Sequence, residues 1–205
     1  MKPKSLILSI ILILTISVVL FSQQNRKTEL IVTGVKTYDI SDISFADIEL
    51  NSQIKIKGII VKQGSGNVSL EFPRYTSSTG RVYEQVRILD VTLTEKIAEF
   101  IRLKLPVKET KSTGYDIPFE ITKFYPYKKV SKLKAFAEVV FAGSVSIECR
   151  IMESKSGPWV AWPERKENSI WIKVVLFKKT FKNKLDRAIL QRYNALNEES
   201  AQGWE

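Results

Sequence analysis

Histidine is missing from this 205-residue sequence, and Cys149 is its only cysteine. Without imidazole there is no Ser-His or Cys-His nucleophile pair, no histidine acid/base chemistry and no histidine-containing zinc site. One cysteine closes no disulfide within the chain, which leaves the redox compartment open. Paired carboxylates, a Gly-rich phosphate loop and a nucleophile elbow are absent too. No catalytic residue, metal ligand or cofactor is therefore nominated, and the expectation is a protein that is not an enzyme. Cys149 lies between Ile147 and Ile151 on one strand face and reads as a small core residue.

Acidic residues are the minority, 22 against 32 Lys and Arg, for a net charge of +10. Such a field attracts polyanions: nucleic acid, acidic lipid headgroups or anionic wall polymers. A hydrophobic share of 44% suffices for real cores, and the length suits one large or two small domains. One apolar run stands apart. Residues 5–21 carry no charge, follow Lys2 and Lys4, and lead into Ser22-Gln23-Gln24-Asn25. About 20 apolar residues span a bilayer comfortably, so this run lies at the lower limit. Residues 1–25 read as a signal peptide or an uncleaved N-terminal membrane anchor. Either keeps the positive end inside and places the rest outside the cytoplasm, secreted, periplasmic or tethered to the inner membrane.

The segment 145–165 (VSIECRIMESKSGPWVAWPER) reads as a β-hairpin. Ile147, Cys149 and Ile151 share one face of its first run. In the second run Trp159 and Ala161 share a face opposite Val160 and Trp162, as a period of two requires. Ser156-Gly157-Pro158 supplies the turn, and Pro163 ends the strand by removing a ladder donor. Residues 54–74 repeat the design: Ile56/Ile147, Ile60/Ile151, Ser65/Ser156 and Gly66/Gly157 recur at a spacing of 91, and Pro73/Pro163 at 90. Around this pair, 30–38, 45–50 and 81–89 read as strands of a first unit, followed by a helix opened by a Thr92–Glu95 capping box and closed by Pro106. In a second unit, 119–124, 133–141 and 170–177 read as strands, 164–168 as a polar loop and 180–196 as a helix with Leu185, Ile189, Tyr193 and Leu196 along one side. Val32-Thr33 answers Ile121-Thr122, Tyr38 answers Tyr127 and Ala46 answers Ala137. In the helices, Leu93, Ile97 and Ile101 answer Phe181, Leu185 and Ile189 at a spacing of 88. The expected fold is α+β, two tandem units each of an antiparallel sheet with a C-terminal helix packed on it, at 30–105 and 118–197. A linker at 106–117 joins them, and a polar tail fills 198–205.

The run Ser156-Gly157-Pro158-Trp159-Val160-Ala161-Trp162-Pro163-Glu164-Arg165-Lys166 resembles the pattern of the SpoVG (septation protein) family: Gly, an apolar pair containing an aromatic, Val-Ala, a large apolar residue, Pro, then a basic cluster. The helix end Ile189-Leu190-Gln191-Arg192-Tyr193-Asn194-Ala195-Leu196 is similar to the family's closing signature. The resemblance is clearest over residues 119–197 and reaches 30–105 through the internal repeat. It departs at Leu176-Phe177, where members carry His-Pro, and in the first unit, which lacks Val-Ala. The resemblance implies a small, usually dimeric DNA- or RNA-binding protein with roles in septation, cell division, sporulation and gene regulation in bacteria. It also implies that the two units imitate such a dimer within one chain, or that the chain pairs with a second copy.

The basic excess sits in the second unit, sixteen Lys and Arg against ten acidic residues over 119–205, whereas 30–106 is nearly balanced at ten against nine. It gathers at Arg165, Lys166, Lys173, Lys178, Lys179, Lys182, Lys184 and Arg187, a set suited to neutralising phosphates in a salt-dependent manner or to forming a plain solvated helix face. The resemblance places nucleic-acid contacts on these same positions. Trp159, Trp162 and Trp171 are expected to pack in the core or at a dimer interface rather than stack on bases. Two functions fit. One is an exported or anchored nucleic-acid-binding protein. The other is a cell-envelope module that meets a protein partner or an anionic polymer and has lost nucleic-acid binding.

Overall fold

A computed structural model of the chain describes residues 29–64, 67–77, 79–103, 117–167 and 169–202. The leader at 1–25, residues 106–116 of the linker, the Ser65-Gly66 half of the repeated turn, Asn168 and the last tail residues with Trp204 lie outside the described residues.

The fold is α+β, with one run of elements occurring twice. The first run is β1 (Val32–Ile40), β2 (Ile43–Leu50), β3 (Ile54–Gln63), β4 (Val68–Glu71), β5 (Arg74–Thr76), β6 (Val82–Glu84), β7 (Val86–Ile88) and helix α1 (Val91–Leu103). The second is β8 (Phe119–Pro126), β9 (Leu133–Phe141), β10 (Val145–Ser154), β11 (Gly157–Ala161), β12 (Glu164–Glu167), β13 (Ile170–Lys173), β14 (Val175–Phe177) and helix α2 (Lys179–Gln202). The two repeated hairpins form, β3 with β4 and β10 with β11, all antiparallel, but an extra residue in β3 shifts its alternation, so that Val61 rather than Ile60 answers Ile151.

Each sheet is completed by a strand from the other unit. β14 pairs with β3, Val175 opposite Ile56 and Phe177 opposite Ile54. Reciprocally, β7 pairs with β10, Val86 opposite Ile147 and Ile88 opposite Val145. The expected single strands 81–89 and 170–177 are therefore each broken in two, at Gln85 and Val174. Their backbones are held alike at the crossing. Gln85 N–H donates to Pro73 O and its carbonyl accepts from Glu148 N–H at 3.1 Å; Val174 N–H donates to Pro163 O and its carbonyl accepts from Lys57 N–H at 2.8 Å. A chain leaving a local hairpin for a distant sheet must turn, and these bonds satisfy the backbone where it does so.

The core runs through both units. Ile54, Ile56 and Ile59 on β3 and Val145, Ile147, Cys149 and Ile151 on β10 are buried, as are Leu93, Ile97 and Ile101 on α1 and Phe181, Leu185 and Ile189 on α2. Helix residues spaced 88 apart thus occupy equivalent buried positions. Each such aliphatic side chain contributes about 1.5–3 kcal/mol on burial. Aromatic rings tie α2 to its sheet: Phe181 meets Phe119 and Phe141 edge-on, and Tyr193 stacks on Phe124.

Several local expectations are corrected. Asp90, not Thr92, caps α1, its Oδ1 accepting from Thr92 N–H at 2.9 Å; the helix has begun at Val91, so Thr92 lies inside its first turn. Residues 164–167 are not a loop but strand β12, paired with β13. Helix α2 continues to Gln202, into the expected tail. Tyr38 lies opposite Phe45 as Tyr125 lies opposite Phe136, so Tyr125 rather than Tyr127 is its counterpart. Ile117, at the end of the expected linker, is fully buried.

Candidate functional site

The eight basic residues divide into two groups. Arg165 is half-buried and turned toward the other unit's sheet. It projects from β12 onto β3, its guanidinium lying where a side chain on Gly58 would be, and its Nε ion-pairs with Glu167. Gly58 permits this because a bulge sets Asp47 against two residues: Ala46 pairs with Ile59 and Ile48 with Ile56, leaving Lys57 and Gly58 between them. Gly58 takes φ +69° and donates its N–H to the buried Asp47 Oδ1 at 3.0 Å. The Tyr38 hydroxyl also donates to Asp47, at 3.2 Å. Its pKa is raised by burial and by the Asp47 charge, against the opposing pull of Arg165.

Lys182 is likewise committed. Its Nζ pairs with Asp186 Oδ2, while Asp186 Oδ1 accepts from Trp162 Nε1 at 2.8 Å. Trp162 is buried, as expected, with its ring 4.4 Å from that of Phe177. The Lys184 ammonium lies over the Phe119 ring at 6.0 Å.

Lys166, Lys173, Lys178, Lys179 and Arg187 are exposed and form no ion pair among the described residues. Lys178 and Lys179 stand at the start of α2, whose first turn holds no acidic residue. Lysines there oppose the helix dipole and leave the turn strongly positive. On the β12–β13 hairpin, Lys166 is directly opposite Trp171 and Lys173 is opposite Glu164, so these four share one face, with Arg165 and Ile172 on the other. Glu164 accepts from Arg150 at 3.4 Å, which offsets its charge.

Trp171 and Trp159 are 55% and 48% exposed, so of the three strand tryptophans only Trp162 lies in the core of the chain. Trp159 faces away from its sheet because the opposite face of β11 carries the buried Val160; Trp171 lies on the hairpin face opposite Arg165 and Ile172, both half-buried. The missed signal was the alternation of 164–167 with 170–173 around Ser169, whose φ of 69° marks a tight turn.

A second polar cluster, unforeseen from sequence, lies on the outer face of the second sheet. Arg87 of β7 ion-pairs with Glu138, which also accepts from Thr122 at 2.9 Å and Lys123 at 3.1 Å. Burial would raise the Glu138 pKa, but these bonds and the charges of Arg87 and Lys123 outweigh it and hold the pKa down. Glu148 lies directly opposite Glu138, and burial, reinforced by that neighbouring charge, raises its pKa. Burial also raises the Cys149 thiol pKa, making it an inert core group. Among the described residues no group of three or more Cys, Asp or Glu side chains is placed to hold a metal, and no helix is long and apolar enough to cross a membrane.

These features define a class: an α+β protein of two strand-exchanged sheet-and-helix units, with a basic, aromatic-bearing surface on the second. Residues 119–195 match the SpoVG family model, which covers the second unit from β8 into α2. No curated protein and no solved structure matches the chain.

Proposed function

We propose that the chain is a non-enzymatic, SpoVG-like nucleic-acid-binding protein built as an internal pair, the unit at 30–105 being a diverged copy of the unit at 118–197. The equal element order and reciprocal strand exchange support the pairing, which lets one chain take the place of a dimer. Binding is carried by one observation: Lys166, Lys173, Lys178, Lys179 and Arg187 remain exposed and without an ion pair among the described residues around β13 and the start of α2, while Arg165 and Lys182 serve the fold. Each such cation that neutralises a phosphate releases counterions, so binding must weaken steeply with salt. By family resemblance the role belongs to septation and sporulation regulation, and the apolar leader carries the binding surface to the membrane or beyond it.

The test uses the full chain in mild detergent, titrated onto labelled DNA and RNA, with a teichoic-acid-like anionic polymer as control. Lys178→Glu with Lys179→Glu should lower affinity and flatten the plot of log K against log salt by roughly 1–2 units, at about 0.7–0.9 for each phosphate no longer neutralised. Wild-type protein that binds no nucleic acid even at low salt would remove this reading. Equal affinity for every polyanion would favour the envelope module, which the leader's apolar run otherwise supports.

A further inference from the structure

Trp171 differs from four other exposed aromatic residues. Tyr125, 58% exposed, lies opposite Phe136 rather than a lysine. Tyr75 and Tyr83 stack on one another with rings 6.5 Å apart, and Arg81 lies over Tyr83 at 6.0 Å, so their faces are partly occupied. Trp159 lies opposite Met152, with no lysine across the strand. Trp171 makes no ring contact among the described residues, is 55% exposed, has Lys166 directly across from it, and has Lys173 two residues along on the same face. From Lys173 the chain reaches Lys178 in five residues, at most about 18 Å away.

We propose that the β12–β13 hairpin is a stacking platform for single-stranded nucleic acid, Trp171 taking one unstacked base while Lys166 and Lys173 hold the flanking phosphates and Lys178 and Lys179 continue the backbone track. This rests on the nucleic-acid reading above. An indole offers its face to a base only if that base's own π-face is free. In a duplex both faces are covered by neighbouring pairs, whereas a single strand can splay one out. The platform is indifferent to sequence, because every base has a π-face. It discriminates by strandedness, which the lysines alone could not do, since phosphates occur in both forms.

The experiment measures anisotropy of a labelled 20-nucleotide oligo-dT and of a 20-base-pair duplex with full-length wild type, Trp171→Ala, Trp171→Phe and Trp159→Ala. Trp171→Ala should weaken oligo-dT binding about tenfold, in line with the loss of one stacked base, and leave duplex binding within about twofold, as expected when the phosphate-binding lysines are untouched. Trp171→Phe should recover part of the loss, and Trp159→Ala should change neither. Equal loss on both nucleic acids, no loss on oligo-dT, or the same loss from Trp159→Ala overturns the platform while leaving general nucleic-acid binding in place. Failure of wild type to bind either ligand overturns the parent reading as well.

Discussion

A methyl group at Gly58 meets two obstacles of different kinds. The residue holds φ +69°, and the added Cβ would overlap the Arg165 guanidinium. A left-handed conformation costs an L-residue roughly 1–2 kcal/mol. The Arg165 end is flexible and can swing aside, forfeiting an ion pair with Glu167 that is worth about 0.2–1 kcal/mol at this degree of exposure. Alanine also restricts the unfolded chain, which returns about 0.4–1 kcal/mol. Gly58→Ala should therefore destabilise by about 1–2 kcal/mol, read as a lower urea midpoint at unchanged slope. The two obstacles separate in a double-mutant cycle, because in an Arg165→Ala background only the backbone share remains. A coupling of about 0.5 kcal/mol is expected between the two sites. A Gly58→Ala protein as stable as wild type, or an equal cost in both backgrounds, would refute the packing of β12 onto β3.

Paired charges supply two more tests. Glu148 has a raised pKa in the fold, so its contribution to stability is fully present below its unfolded pKa and is lost as pH rises through the folded value. Glu148→Gln should thus raise the melting temperature at pH 7 but not near pH 3, with a gain of about 0.2–1 kcal/mol for removing a like charge directly opposite Glu138; a pH-independent effect would contradict it. Asp186→Ala strips the partner from the buried Trp162 indole N–H and from Lys182, and should cost about 1–3 kcal/mol in thermal or urea unfolding, with a change in tryptophan fluorescence. A loss well below that range would mean the Asp186 link holds nothing.

What the sequence made legible was whatever is local or periodic. The alternation in 54–57 and 145–151, the Gly and Pro punctuation of the hairpins and the helical spacing of Leu93, Ile97 and Ile101 each carry their own signal, and the fold agrees with them, whereas the bulge at Gly58 moves burial in β3 from Ile60 to Ile59 and Val61. Strand exchange carries none. Val86-Arg87-Ile88 alternates in the same way whichever sheet it joins, and only the distant partners at Val145 and Ile147 decide. The same limit explains Arg165, Lys182 and Trp171. Basic residues look alike along the chain, and the difference between a structural cation and a free one lies in Glu167, Gly58 and Asp186, elements brought near by folding. Residues 164–167 read as a loop because charge dominates them, although their regular alternation with 170–173 describes a hairpin that sends Arg165 onto Gly58 of the other unit's sheet.

The reciprocal exchange of β7 and β14 underlies the internal pair and can be tested by trapping strand neighbours. Lys55→Cys with Leu176→Cys joins residues that lie opposite one another on β3 and β14, whereas Ser146→Cys with Leu176→Cys would join them only if β14 took the place of β7 beside β10. Cys149 is buried and should not interfere. Mild oxidation of the full chain, followed by non-reducing electrophoresis and peptide mass mapping, should give an intramolecular disulfide in the first variant and none in the second. A disulfide in the second variant alone, or a cross-link between two chains in the first, would contradict the exchange within one chain.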